Sequence, residues 1–382
     1  MRSITFLFCL LFAFNMGCKQ EPEPNPEPNE PEEPVGIEEP DFYRGGDLSY
    51  VNEMEDCGAT YLDENGEEKD PFEIFKEAGT NLIRVRAWHT PDWTNYSTFE
   101  DVKKTIRRAK DQGINVLLDL HLSDDWADPG KQKVPAAWLP VVNNTFLLGD
   151  SVYNYTYRYL TALDKEGLLP EMVQIGNETN IEILQDPNQS YERINWERNG
   201  FLLQEGINAA KKVRQESGKQ LAIMLHVAQP ENALWFFDEA TQNNVGGYDW
   251  IGISYYSKWS TYSMENLPQA ISTLKNTYNR RVMVVETAYA FTLNNADAAG
   301  NIIGSDALVN GYPATEEGQL TYLKDLEAAI KEGGGEGLVY WEPAWVSSSC
   351  TTRWGNGSHW DNATLFKQDY TPNMGMSWYS GN

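Results

Sequence analysis

From Tyr43 onward, short apolar runs alternate with longer stretches of helical spacing. The runs Tyr43–Ser49, Asn81–Ala87, Ile114–Leu120, Met172–Asn177, Gln220–His226, Asp249–Ser254, Arg281–Glu286 and Glu336–Trp341 read as strands. Several, such as Asn115-Val-Leu-Leu-Asp-Leu120, carry apolar residues on both faces, as parallel strands covered on both sides must. Asp70–Ala78, Thr98–Gln112, Asn195–Ser217 and Ala314–Glu332 are among the helical stretches between them, and Gly79 and Gly113 stand where helices should stop. Eight strand–helix units predict an α/β fold, a (β/α)8 TIM barrel, with residues 42–382 as a single catalytic domain.

The first residues follow a different pattern. Residues 1–17 hold Arg2 and then the apolar run Ile4–Phe14, too short to span a bilayer stably, and read as a signal peptide. Cys18 follows Gly17 as in a bacterial lipobox, so lipidated Cys18 is expected to anchor the exported chain to a membrane. Residues 18–41, rich in Glu, Pro and Asn, cannot bury a core and read as a disordered, extended tether. The acidic stretch after Cys18 resembles export signals of Gram-negative surface lipoproteins, which points to the cell surface or outer membrane. Once Cys9 leaves with the signal, Cys57 and Cys350 remain in an oxidising compartment. They follow the first and last strands, which are neighbours in a closed barrel, so a disulfide between them is expected.

Charge and composition narrow the ligand. A net charge of -26 excludes nucleic acid and favours a neutral substrate over an anionic polysaccharide. The 13 Trp and 20 Tyr exceed what a core needs and suit a carbohydrate cleft. Four His without an HExxH motif or a close His/Cys cluster argue against catalytic zinc.

Two of the apolar runs end in a glutamate, Met172–Glu178 and Arg281–Glu286. A barrel strand delivers such a residue to the C-terminal rim, and two facing carboxylates are the minimum equipment for hydrolysing a glycosidic bond. Arg84, Arg86, His121, Asn177, His226, Tyr255, Tyr256 and Trp341 fall at or near the same rim. Nothing suggests more than a monomer.

The segment His121-Leu-Ser-Asp-Asp-Trp126-Ala-Asp128-Pro-Gly-Lys-Gln132 resembles the strand-three signature of glycoside hydrolase family 53, the endo-β-1,4-galactanases of clan A. Ser254-Tyr-Tyr-Ser-Lys-Trp259, Glu286-Thr-Ala-Tyr289 and Tyr340-Trp-Glu-Pro-Ala-Trp345 are similar to further motifs of that family, and the likeness covers about residues 42–368. The resemblance implies retaining hydrolysis of β-1,4-galactan, with Glu178 as acid/base and Glu286 as nucleophile, and no cofactor for the chemistry. It implies that Asn177 binds the sugar 2-OH, that Arg86 or Arg84 keeps Glu286 charged, that Tyr255 orients Glu286, and that His226 modulates the Glu178 proton. Trp88, Trp126, Trp259, Trp341 and Trp345 are candidate sugar platforms. Asp124 and Asp128 are expected to bind hydroxyls or brace their loop, and Asp47, His121 and Tyr289 complete the expected binding set. The family also implies a structural calcium ion, here held by Asn295, Asp297, Asn301, Ser358 and Asp361. Two alternatives stay open: another clan A β-glycanase, such as a mannanase or cellulase, and a non-catalytic glycan-binding surface lipoprotein.

Overall fold

A computed structural model describes residues 39–353 and 355–381. The expected signal peptide, Cys18 and nearly all of the tether lie outside the described residues. The strands are β1 (Tyr43–Asp47), β2 (Leu82–Ala87), β3 (Asn115–Leu120), β4 (Met172–Ile175), β5 (Ala222–Ala228), β6 (Trp250–Ser254), β7 (Arg281–Thr287) and β8 (Gly337–Tyr340). They pair in parallel as one closed eight-stranded barrel in chain order. Helices α1 (Val51–Asp56), α2 (Pro71–Ala78), α3 (Phe99–Asp111), α4 (Thr145–Lys165), α5 (Trp196–Ser217), α6 (Pro230–Gln242), α7 (Leu267–Tyr278) and α8 (Glu316–Glu332) lie between them. Among the described residues, no helix is long and apolar enough to cross a membrane. The chain joins Cys57 to Cys350, with their Cα atoms 5.2 Å apart, so the first and last strand–loop units are covalently linked.

Alternation along the strands sorts the side chains. Ile83, Val85, Val116, Leu118, Val173, Ile175, Ile223 and Leu225 belong to the large core shared with the helices. The intervening positions Tyr43, Leu82, Leu117, Met172, Met224, Trp250, Met283 and Val339 form a separate cluster that fills the barrel. Two residues further along these inner faces the chain turns polar, at Arg84, Asp119, Gln174 and His226, all fully or nearly fully buried. The barrel interior therefore changes from an apolar plug to a charged layer just below the C-terminal rim.

Two backbone irregularities aim the glutamates. The β4 strand ends at Ile175 rather than Asn177, because Gly176 turns out of the strand at φ 80°. A Cβ there would meet Thr179 Cγ2 at 2.7 Å, so only glycine allows the turn. Glu178 itself sits at φ 43°, a conformation that costs a glutamate free energy and is typical of functional sites. On the opposite side, the register of β7 shifts against both β6 and β8, between Val284 and Thr287. This irregularity brings Glu286 level with Ser254.

Candidate active site

The charged layer is organised around Arg84, which is only 1% exposed. Its Nη1 donates to Asp47 Oδ2 at 2.9 Å and pairs with Glu286 Oε1 at 2.8 Å. Its Nη2 donates to Asp119 Oδ2 and Asn177 Oδ1, both at 2.8 Å. Burying a guanidinium is tolerable only with such compensation, and this one answers three carboxylates at once. Asp47 thus lies beneath the cleft as a partner of Arg84 and not on its surface.

Glu286 is 6% exposed and also accepts from Tyr256 Oη at 3.2 Å. The expected orienting residue, Tyr255, is turned elsewhere: its hydroxyl donates to the Tyr262 carbonyl. Arg86 likewise does not reach Glu286. It pairs with Glu342 Oε1 at 3.0 Å and donates to Ser97 Oγ, beneath the rings of Tyr50, Trp88 and Trp126. Arg84, not Arg86, therefore supplies the cation beside Glu286.

Glu178 accepts from Ser254 Oγ at 2.5 Å. The same hydroxyl lies 2.9 Å from His226 Nε2, so His226 reaches Glu178 through Ser254. His226 Nδ1 accepts from Gln174 Nε2 and from the Glu178 main-chain N–H. Asn177 Oδ1 also lies 3.0 Å from Nδ1; the Glu178 N–H, which can only donate, assigns the imidazole proton to Nε2. Burial first, and then the neighbouring Arg84, hold the imidazole well below its usual range, so it is neutral.

One carboxylate oxygen of Glu178, one of Glu286 and a ring nitrogen of His226 all lie within 4.8 Å of one another. A metal does not suit this trio. Both histidine nitrogens are engaged, and Arg84 already provides the cation at Glu286. Burial pushes both carboxyls up, Glu286 to about 7 and Glu178 well above the usual carboxylate range. For Glu178 the charge of Glu286 adds to the rise. For Glu286, Arg84 and the Tyr256 hydroxyl act in the opposite direction. A proton shared by the pair therefore resides on Glu178 and leaves Glu286 ionised.

Above the carboxylates opens a cleft of about 750 Å³. Trp126, Trp259, Trp341, Trp345 and Trp360 line it, with Asp128, Asn177, Gln229, Asn232 and His359. Of the expected platforms, Trp88 is not on the cleft; it is 2% exposed and packs on Trp93 and Trp126. His121 is equally buried and braces the loop after β3, contacting Asp119 Oδ2 through Nε2 while Nδ1 accepts from Ala127 N. Asp124 caps the main chain at Thr90 and Ala136 and is a brace, not a wall of the cleft. Tyr289 stacks on Tyr322 and links the Val309 N–H to the Tyr312 carbonyl, behind the site. The sequence reading gave no role to Ser254, Gln174, Asp119, Tyr256, Trp360 or Glu342. For Gln174 and Asp119 a signal existed: each is a polar residue inside an otherwise apolar strand run.

The residues expected at a calcium ion do converge. Asp297 Oδ2 accepts from Ser358 N and Ser347 Oγ, and Asp361 Oδ2 accepts from Ala296 N. Asn301 Nδ2 donates to Asn295 Oδ1 and Asp361 Oδ1, each at 2.7 Å, while its own Oδ1 is buried without a partner among the described residues. Turning this carboxamide over would present its oxygen to the other two. Burial, reinforced by Asp297, raises the Asp361 carboxyl. Two carboxylates and two amides, one of them with an orphaned oxygen, suit a hard cation. The Ser358 hydroxyl is the exception, since it donates to the Trp345 carbonyl.

Comparison with known proteins agrees with this geometry. The model of glycosyl hydrolase family 53 matches residues 43–377. The arabinogalactan endo-beta-1,4-galactanase of Cellvibrio japonicus is 53% identical over 326 residues, 85% of this chain and 86% of the relative. The endo-beta-1,4-galactanase of Bacillus subtilis is 35% identical, over 89% and 80% of the two chains. Among solved structures, the family 53 catalytic domain of Ignisphaera aggregans superposes with a TM-score of 0.81 at 32% identity, covering 92% of this chain and 98% of that one. The chain belongs to glycosyl hydrolase family 53.

Proposed function

We propose that this protein is an endo-acting, retaining β-1,4-galactanase that cuts the galactan of pectic arabinogalactan. The observation that carries this reading is the close approach of the Glu178 and Glu286 carboxylates, within 4.8 Å at their nearest ligand atoms. Retaining glycosidases hold the two carboxyl groups about 5–5.5 Å apart, whereas inverting enzymes leave about 6.5–9.5 Å for a water. The substrate class is supported by the named activity of the relatives.

In the first step a Glu286 oxygen attacks the anomeric carbon and forms a glycosyl ester. The bond to the bridging oxygen breaks, and that oxygen takes the Glu178 proton. In the second step Glu178, now ionised, accepts a proton from water, whose oxygen attacks the same carbon and frees Glu286. Ser254 and neutral His226 hold the Glu178 carboxyl in one orientation through both steps. Asn177, fixed by Arg84 and by the Ala127 carbonyl, would bind the sugar 2-OH, a contact that strengthens in the transition state.

The test is incubation with lupin or potato galactan, galactomannan and cellulose, followed by product sizing and by NMR of the first anomer released. Galacto-oligosaccharides appearing first as the β-anomer support the reading. α-Anomer first refutes the retaining assignment, and release from mannan or cellulose alone refutes the substrate.

A calcium ion at Asp297 and Asp361 would tie the loop after β7 to the loop after β8. The expected outcome of chelation is a lower Tm, restored by added calcium, and differential scanning calorimetry reads it directly. Lipidation at Cys18 would hold the barrel at the cell surface on its acidic tether, and loss of radiolabelled fatty acid from a Cys18→Ser variant is the matching check.

A further inference from the structure

We infer that Gln229, Asn232 and Trp235 form a binding strip that carries the galactan chain out of the cleft and over α6. The inference rests on the galactanase reading and adds a place where the polymer continues beyond the carboxylates.

Gln229 is the starting point. It is a non-glycine residue at φ 65°, in the left-handed region, immediately before α6. It is 7% exposed and lines the cleft with Glu178. Its Oε1 accepts from the Tyr256 main-chain N–H at 3.3 Å, and the Tyr256 hydroxyl in turn donates to Glu286. The carboxamide is thereby oriented, and its nitrogen has no protein acceptor among the described residues. An oriented, unspent donor on a strained backbone beside the reacting carboxylates is suited to a sugar hydroxyl.

Three residues on, Asn232 lines the same cleft. Its Nδ2 donates to the Ala228 carbonyl at 2.9 Å, and its Oδ1 accepts from Trp235 Nε1 at 3.4 Å. Gln229 caps α6 and its carbonyl accepts from the Asn232 main-chain N–H, while Asn232 and Trp235, three apart, are neighbours on the helix surface joined by their side chains. Trp235 is 41% exposed, and the other markedly exposed tryptophan among the described residues, Trp259, lines the cleft itself. The Trp235 indole, tied by its N–H to the cleft wall and edge-on to Phe236, offers a partly exposed aromatic surface about one helical turn beyond that wall. A galactose ring has an apolar C–H face that stacks on such a surface. The strip carries amides and an indole, and the adjacent acid, Glu231, is occupied by Ser260 and Thr261. Its chemistry therefore fits a neutral hexose chain.

The experiment compares kcat/KM on long β-1,4-galactan with kcat/KM on galactotriose, for the full chain and for Trp235→Ala, Trp235→Phe and Gln229→Ala. The polymer-to-trisaccharide ratio should fall about tenfold in Trp235→Ala, the loss of one stacking face, and recover in part in Trp235→Phe. Gln229→Ala should lower kcat/KM on both substrates. Retention on immobilised galactan of Glu286→Gln, with and without Trp235→Ala, gives an independent readout of binding. An unchanged ratio together with unchanged retention refutes the strip while leaving the galactanase reading intact. No cleavage of galactan by the unaltered chain refutes the activity reading, and the strip with it.

Discussion

Glu286→Gln should remove turnover of galactan by on the order of 10⁴-fold or more, since no other group can form the glycosyl ester. Glu178→Gln should behave differently. Loss of the proton donor costs about 10²–10⁴-fold on galactan, but far less on an aryl galactoside whose leaving group needs no proton. With such a substrate the first step remains fast and the second is slow, so a burst of aryl alcohol should precede the steady state. Stopped-flow absorbance separates the two variants. A burst in Glu286→Gln, or unimpaired turnover in either variant, would reverse or remove the assignment. The two environments give the reason for the asymmetry. Glu286 is held by Arg84 and Tyr256, which favour its ionised form, whereas at Glu178 burial and the charges of Glu286 and Asp128 outweigh the Ser254 hydroxyl and the more remote Arg84.

Arg84→Met should have the next largest effect, and it should be visible in the pH profile. Activity requires ionised Glu286, so kcat/KM rises as pH rises through its pKa, which lies at about 7 under the opposing influences of burial and Arg84. It also requires protonated Glu178, so the rate falls again at higher pH as that proton leaves. Without the guanidinium, the Tyr256 hydroxyl still opposes burial but no cation does. The acid limb should then move up by about 1–3 units, which lowers activity at neutral pH. The change also leaves Asp47 and Asp119 buried beside a neutral side chain, at a cost of about 3–5 kcal/mol in a urea titration. Arg84→Lys keeps a cation and should retain the position of the acid limb even if the rate drops. An acid limb that stays in place in Arg84→Met would show that Arg84 does not control Glu286.

The barrel was legible in the chain because parallel strands buried on both faces leave long apolar runs, and eight of them stand between helical stretches. The two glutamates were legible for a related reason: a carboxylate ending such a run has no structural purpose in a plug of Met, Leu and Trp. What could not be read was which neighbour faces which. Arg84 and Arg86 are both inward-facing on β2, yet one layer apart, and only the layer at Asp47 and Asp119 meets Glu286. Tyr255 and Tyr256 differ by one position just past a strand end, where alternation no longer decides the face. The β7 irregularity that brings Glu286 level with Ser254 leaves no mark in Val284-Val285-Glu286. Trp88, His121 and Tyr289 were misplaced because rim residues also support loops, and Asp124 takes the bracing role of the two expected for it. Their side chains hold up the aromatic wall from behind.

The cross-link between residues 57 and 350 spans 293 positions of chain. It converts most of the barrel into a covalent macrocycle. A protease that nicks any single exposed loop inside that ring releases no fragment, and the two halves stay tethered at the seam where the first and last strands meet. The cross-linked chain can thus survive one cut. Only a second cut, or a reductant, would let a piece diffuse away.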